Sequence, residues 1–248
     1  MTTELYLNLL QDVLLDTIYG CYIADAHGNS TQKLAQETET ENGSIWPMRA
    51  HTMIGKKRLQ NIKFCLEDVL KNNIEGDCIE TGVWRGGACI FMKGILKVHN
   101  NTDKKIFVAD SFEGLPPPDP KYTADNGDSH HKIKYLAVSK EEVEKNFKSY
   151  NLLDENVIFI KGFFEHSIPK APITKLSILR LDGDMYSSTI QVLDALYQKL
   201  SVGGYCIIDD YGLAGCKAAV DDFRRDHNIT EPLIYIDYYG RFWQKLRE

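Results

Sequence analysis

From Asp77 onward, short apolar runs alternate with longer amphipathic stretches, and no other feature of the 248-residue chain constrains its fold as strongly. The apolar runs fall at 78–79, 106–109, 157–160, 176–181 and 205–208, with helical patterns between them at about 87–98, 139–150, 187–200 and 215–227. Strands separated by helices pair in parallel, because a crossover of that length returns the chain to the same edge. The pattern therefore predicts an α/β fold with a doubly wound, mainly parallel sheet and helices on both faces. Two further strand candidates, 233–236 and 241–244, flank Asp237-Tyr238-Tyr239-Gly240, which reads as a hairpin connection.

The upstream part is of another kind. Leu5, Leu9 and Val13 recur every four residues and predict an amphipathic helix over 4–18 with these side chains as its apolar stripe. A polar stretch at 25–44, poor in apolar residues, reads as a mobile loop. Helical pattern resumes over 55–72, with Leu59, Ile62, Leu66, Val69 and Leu70 on one side. The chain thus divides into an N-terminal helical extension and lid, 1–72, and a sheet domain, 73–248. Within the latter, segment 115–131 carries three consecutive prolines and several Asp and His. It is too long and polar for a simple connection and reads as a substrate loop or lid.

The ends of the predicted strands hold the chemistry, since ligands of open α/β sheets bind outside the carboxyl edge. In order those ends are Glu80, Asp110, Gly162, Asp182 and Asp209. The motifs Asp182-Gly183-Asp184 and Asp209-Asp210 should meet on one edge. Two carboxylates about 4 Å apart repel by roughly 4 kcal/mol at an effective dielectric near 20. A cluster of four calls for a counter-charge, and a hard divalent cation such as Mg²⁺ suits all-oxygen ligands. The first end, Glu80-Thr81-Gly82-Val83-Trp84-Arg85-Gly86-Gly87, lets backbone approach a ligand but is not a dinucleotide fingerprint, because bulky Trp84 follows the first turn. The second, Asp110-Ser111-Phe112, offers a carboxylate to ribose hydroxyls; a helix cap is the competing role for such an Asp. The third, Gly162-Phe163-Phe164, offers an aromatic face for adenine, or simply core packing. A nucleoside without a pyrophosphate fits these ends better than a dinucleotide.

A net charge of −6 and the lack of a basic stripe argue against a nucleic-acid partner. The six cysteines are scattered without metal-ligand spacing, as expected of a reduced, cytoplasmic protein. No secretory signal pattern is visible, and no apolar run is long enough for a membrane span.

At these residues the chain resembles the macrocin O-methyltransferase family, metal-dependent sugar O-methyltransferases that use S-adenosylmethionine. The resemblance runs from about Trp46 to the C-terminus. It rests on Ala50-His51-Thr52-Met53-Ile54-Gly55, the stretch from Glu80 to Gly87, Asp110 to Pro116, Gly162 to Glu165, Arg180 to Tyr186, Gly203-Gly204, and Ile208 to Tyr211. It implies the Rossmann-like class I methyltransferase fold, a seven-stranded sheet whose last strand is antiparallel. It further implies that Glu80, Gly82 and Trp84 border the methionine part of the cofactor, that Asp110 holds its ribose, that Gly162 and Phe163 flank the adenine, and that Thr81, Ser111 and Phe112 also belong to the cofactor site. By the same resemblance Thr52 and Met53 close over the cofactor, Asp182 also borders it, and Asp182, Asp209 and Asp210 hold Mg²⁺. Either Asp182 or Asp184 would take the acceptor's proton. The implied substrate is a small glycosylated natural product, and a homo-oligomer such as a dimer stays open.

Three rival readings remain at this point. Asp182-Gly183-Asp184 is also the D-x-D of metal-dependent glycosyltransferases, although that leaves Glu80 and Asp110 without a role. A binding protein with a nucleoside pocket would have no use for mutually repelling acids. A catechol-type methyltransferase would commonly place Lys where Met185 stands. His130 and His131, in the long insertion, could contact substrate or stay solvated; Tyr238 and Tyr239 could line the acceptor site or pack.

Overall fold

The computed structural model describes residues 2–247. Seven strands form one sheet in the order β5-β4-β3-β6-β7-β9-β8. Strands β3 (Asp77–Thr81), β4 (Ile106–Asp110), β5 (Val157–Lys161), β6 (Leu176–Leu181) and β7 (Leu200–Ile208) run parallel. Strand β9 (Arg241–Gln244) is antiparallel both to β7 and to β8 (Ile234–Tyr235), so the C-terminal hairpin forms as its sequence predicts. The mainly parallel α/β sheet is thus borne out.

Strand β3 separates the two halves of the sheet, with β4 on one side and β6 on the other. Such a reversal of strand order opens a crevice at the carboxyl edge. Alternation along each strand feeds two core layers. Cys78, Val108, Ile178, Tyr205 and Ile207 face the helices α1 (Thr2–Leu14), α3 (Gly55–Lys71), α4 (Gly87–Val98) and α5 (Lys140–Ser149). Ile79, Phe107, Leu179, Cys206 and Ile208 face α7 (Tyr186–Leu196) and α8 (Ala214–Asp226). Trp243, from β9, is fully buried in the second layer, donates to the Tyr197 hydroxyl at 3.1 Å and packs against Tyr197, which in turn meets Phe223 edge-on.

Two N-terminal expectations need correction. Helix α1 buries Leu7, Leu10 and Leu14, whereas Leu5 and Leu9 are 70% and 55% exposed. A strict four-residue spacing drifts around a 3.6-residue helix, while the alternating three-and-four spacing of the buried set keeps one face. The polar stretch 25–44 is also ordered: strand β2 (Ser30–Leu34) pairs antiparallel with β1 (Tyr22–Ala24), and helix α2 (Glu37–Asn42) follows with a Gln36/Glu39 capping box. Its order comes from backbone pairing and from contact with α3. A Cβ on either Gly43 or Gly55 would overlap the backbone of the partner segment, and both residues have positive φ. Among the described residues no helix is long and apolar enough to cross a membrane, and all six cysteines are free and buried.

Trp243→Ala should lower stability by about 3–5 kcal/mol, the usual cost of emptying a large aromatic site. Denaturant unfolding monitored by circular dichroism would measure it.

Candidate active site

A cavity of about 980 Å³ opens over the carboxyl ends of β3, β4, β6 and β7. Its walls come from those strand ends, from 23–54 on one side and from the 114–136 segment on the other. At β3 the chain turns sharply. Gly82 has φ +86, and an added Cβ would overlap the Asp182 carbonyl oxygen, so only glycine lets the two strand ends lie together. Trp84 follows with φ 47, unusual for so bulky a residue. Its indole donates to the Tyr135 carbonyl at 3.1 Å, and the Arg85 guanidinium lies 4.2 Å from its ring. Trp46 stacks on Tyr135 at 5.6 Å, and the Tyr135 hydroxyl donates to the Pro47 carbonyl. The N-terminal segment and the 114–136 segment are thereby clasped over the crevice.

Asp110 braces this turn. Its carboxylate accepts from the amides of Val83 and Phe112, each at 2.8 Å, while the side chain still lines the cavity. Burial raises its pKa, against the pull of those amides. His51 docks the Thr52-Met53 segment on α4, its carbonyl accepting from the Gly87 amide at 2.8 Å.

Beneath the crevice lies a buried charge network. Arg180, wholly enclosed in β6, donates to Glu80 and Asp209 and, at 2.9 Å, to Asp182. Arg58, from α3, donates to the other oxygen of Asp209, to Asp237 at 3.0 Å, and to the carbonyls of Asn42 and Gly43 at 3.1 Å. Cys89 donates to the remaining oxygen of Glu80 at 2.8 Å. Arg180 Nε is the one donor of its guanidinium left without a partner among the described residues.

Oxygen atoms of Asp182, Asp209 and Asp210 lie within 4.8 Å of one another. Together with Glu80, Asp184 and Asp237 they set six carboxylates against the two guanidinium groups. Burial and then mutual repulsion hold Asp182 and Asp210 well above the usual carboxylate range. A hard cation fits this donor set: every ligand atom is oxygen, and the surplus charge is negative. Asp184 stands beside the trio with φ 58, its amide donating to Asp210 at 3.0 Å. Burial pushes its pKa up to about 6; His130 opposes that rise, and Asp209 and Asp128 add to it.

Of the residues expected from sequence, Thr52, Met53, Glu80, Gly82, Trp84, Asp110, Ser111, Phe163, Asp182, Asp184, Asp209 and Asp210 all line the cavity. Three stand back from it. Thr81 is buried within β3, where its hydroxyl reaches the Arg180 carbonyl at 3.4 Å. Phe112 turns into the core against Phe159, with ring centroids 6.0 Å apart. Gly162 lies behind Phe163, bonded through its amide to the Asp110 carbonyl at 2.9 Å. His130 does line the cavity, bonded to Asp128 at 2.6 Å through Nδ1, whereas His131 does not. Burial works against the His130 cation, but the bond to Asp128 and the charge of Asp184 outweigh it and raise its pKa. Tyr239 lines the cavity, and Tyr238 is exposed.

Sequence reading missed Arg58 and Asp237 as members of the site. Arg180 carried a readable signal, a lone cation inside an otherwise apolar buried strand, which demands counter-charges nearby.

A carboxyl whose folded pKa exceeds its unfolded value keeps its proton longer in the native state, so the native state loses stability as pH rises through that window. For Asp184 the window runs from the ordinary aspartate value of 3.8 to about 6. Metal-free Asp184→Asn should therefore melt above wild type at about pH 7.5, with the gain shrinking toward about pH 4. Paired thermal melts across that range would reveal it.

The family model described as Macrocin-O-methyltransferase (TylF) matches residues 3–245. The chain is 47% identical to the Demethyldecarbamoylnovobiocin O-methyltransferase of Streptomyces niveus, a match covering 99% of this chain and 95% of that protein. It is 41% identical to the 8-demethyl-8-(2,3-dimethoxy-alpha-L-rhamnosyl)-tetracenomycin-C 4'-O-methyltransferase of Streptomyces olivaceus, over 97% of this chain and 92% of the other. The solved structure of the O-methyltransferase NovP superposes with a TM-score of 0.89 at 46% identity, covering 99% of this chain and 100% of that one.

Proposed function

The chain belongs to the macrocin O-methyltransferase family, enzymes that use S-adenosylmethionine, and from that premise we propose that it methylates a sugar hydroxyl of a glycosylated small molecule with the help of Mg²⁺. The observation that carries this reading is the shared cavity. The glycine turn at Gly82, the Asp110 carboxylate and the Asp182, Asp209, Asp210 trio all open into one space. The relative from Streptomyces olivaceus is named for a rhamnosyl-bearing acceptor, which supports a sugar as the methylated part.

When bound, S-adenosylmethionine supplies an electrophilic methyl group, and Mg²⁺ supplies a Lewis acid that lowers a hydroxyl pKa. The residues of this chain do the rest. Gly82 and Trp84 would hold the methionine end, Asp110 the ribose, and Phe163, 36% exposed in the wall, the adenine. Asp182, Asp209 and Asp210 would hold the cation. Asp184 would take the proton from the acceptor oxygen, since it lines the cavity beside that trio. Trp46, Trp84 and Tyr135 would exclude water above the reacting atoms, which strengthens every electrostatic contact within. Aligning acceptor and methyl group is itself a large part of the acceleration.

Removing divalent ions with a chelator should lower turnover by about a hundredfold or more, since a Lewis acid contributes several kcal/mol. Asp209→Asn and Asp210→Asn should leave little activity for added Mg²⁺ to restore. Full activity after exhaustive chelation would refute the metal assignment. Asp110→Asn should weaken S-adenosylhomocysteine about tenfold to a hundredfold, the worth of hydrogen bonds to a charged group. Calorimetric titration reads this directly, and unchanged affinity would remove Asp110 from the cofactor site.

A further inference from the structure

Helix α7 starts two residues after Asp184, and the intervening N-cap residue cannot cap it: Met185 makes no side-chain bond to the first turn. The free amides of that turn are taken from a distance. Asp125, 3% exposed within the otherwise polar insertion, accepts from Tyr186 N at 2.7 Å through one oxygen and from Ser187 N at 2.9 Å through the other. Space for this carboxylate is built into α8, where a Cβ on Gly215 would lie 3.1 Å from Asp125 Oδ1 and 3.0 Å from the Tyr186 nitrogen.

A local competitor for the same amides is Asp184 itself. Aspartate readily bonds to backbone amides two residues onward and is among the best residues for capping a helix start. Here Asp184 lines the cavity instead, and its carboxylate accepts no hydrogen bond from the described residues. We propose that Asp125 is a positioning residue for methyl transfer: by occupying the start of α7 it keeps the Asp184 carboxylate free to face the acceptor. The long insertion thereby acquires a role in the reaction without touching the methyl group. This rests on Asp184 being the proton acceptor, as proposed above.

The test has two arms, both on the full chain with S-adenosylhomocysteine affinity as the control for folding, which Asp125→Ala and Asp125→Asn should leave within about twofold. The first arm is amide hydrogen exchange at Tyr186 and Ser187, read by NMR. In Asp125→Ala these amides should stay protected because Asp184 takes them over. In Asp125→Ala/Asp184→Ala they should exchange at least about tenfold faster, the worth of a good cap. Exchange equally fast, or equally slow, in the single and double variants would overturn the proposal.

The second arm is turnover of demethyldecarbamoylnovobiocin as probe acceptor. Asp125→Ala should lower kcat by about tenfold with KM for S-adenosylmethionine unchanged, and Asp125→Asn, which retains one acceptor oxygen, should recover part of the loss. The double variant should be no slower than Asp184→Ala, because residues acting through one another are not additive. Additive losses would count against the proposal. A wild-type enzyme that methylates neither this nor any other glycosylated acceptor would sink the reading of function instead, while the exchange arm still decides the proposal.

Discussion

The enclosed guanidinium of Arg180 is the constraint around which the rest of the site is arranged. It lies one residue from the carboxyl end of β6, a wholly buried strand, where an unpaired cation would be prohibitively costly. Three strand ends therefore converge on it, bringing Glu80, Asp182 and Asp209 to one point from β3, β6 and β7. The convergence then overshoots in charge. Arg58 offsets part of the surplus and, in doing so, fastens α2 and the C-terminal hairpin to the same point through Asn42, Gly43 and Asp237. What remains is negative and oxygen-lined, and it faces the cavity.

Raised pKa values follow from the same cause. Asp182, Asp184 and Asp210 resist ionisation because burial removes water and neighbouring carboxylates remain near. A network of this kind weakens the isolated fold while preparing it to accept a cation and a proton. Stability and chemistry are in opposition at these residues, which is common where ionisable groups are enclosed for use.

Much of this was legible in the sequence because it depends on local pattern. Apolar runs of strand length ending in acids located β3, β4, β6 and β7 and hence the edge where Asp110, Asp182 and Asp209 meet. The hairpin around Asp237 to Gly240 was equally readable from its turn residues. Non-local physics hid the rest. Arg58 finds its partners 151 and 179 residues away, and nothing in its helix announces them. Helix α1 carries leucines on more than one face, so spacing could not say which face the sheet domain would cover. Thr81 alternates with cavity-lining Glu80 along β3, while Phe112, past the end of β4, turns into the core through a backbone with φ 58. The segment 25–44 looked mobile because it lacks an apolar face; its order comes from pairing and close backbone contact.

That contact between Gly43 and Gly55 has a consequence for how the chain tolerates change. Each glycine sits where any side chain would overlap the opposite backbone. Neither position can be compensated by the other, because the obstacle is main chain, which no substitution removes. A saturation scan from the polar stretch to the start of α3 would therefore show Gly43 and Gly55 as intolerant as the interior of the sheet. At those two points sequence freedom is limited by the distance between two backbones and not by how much water either residue meets.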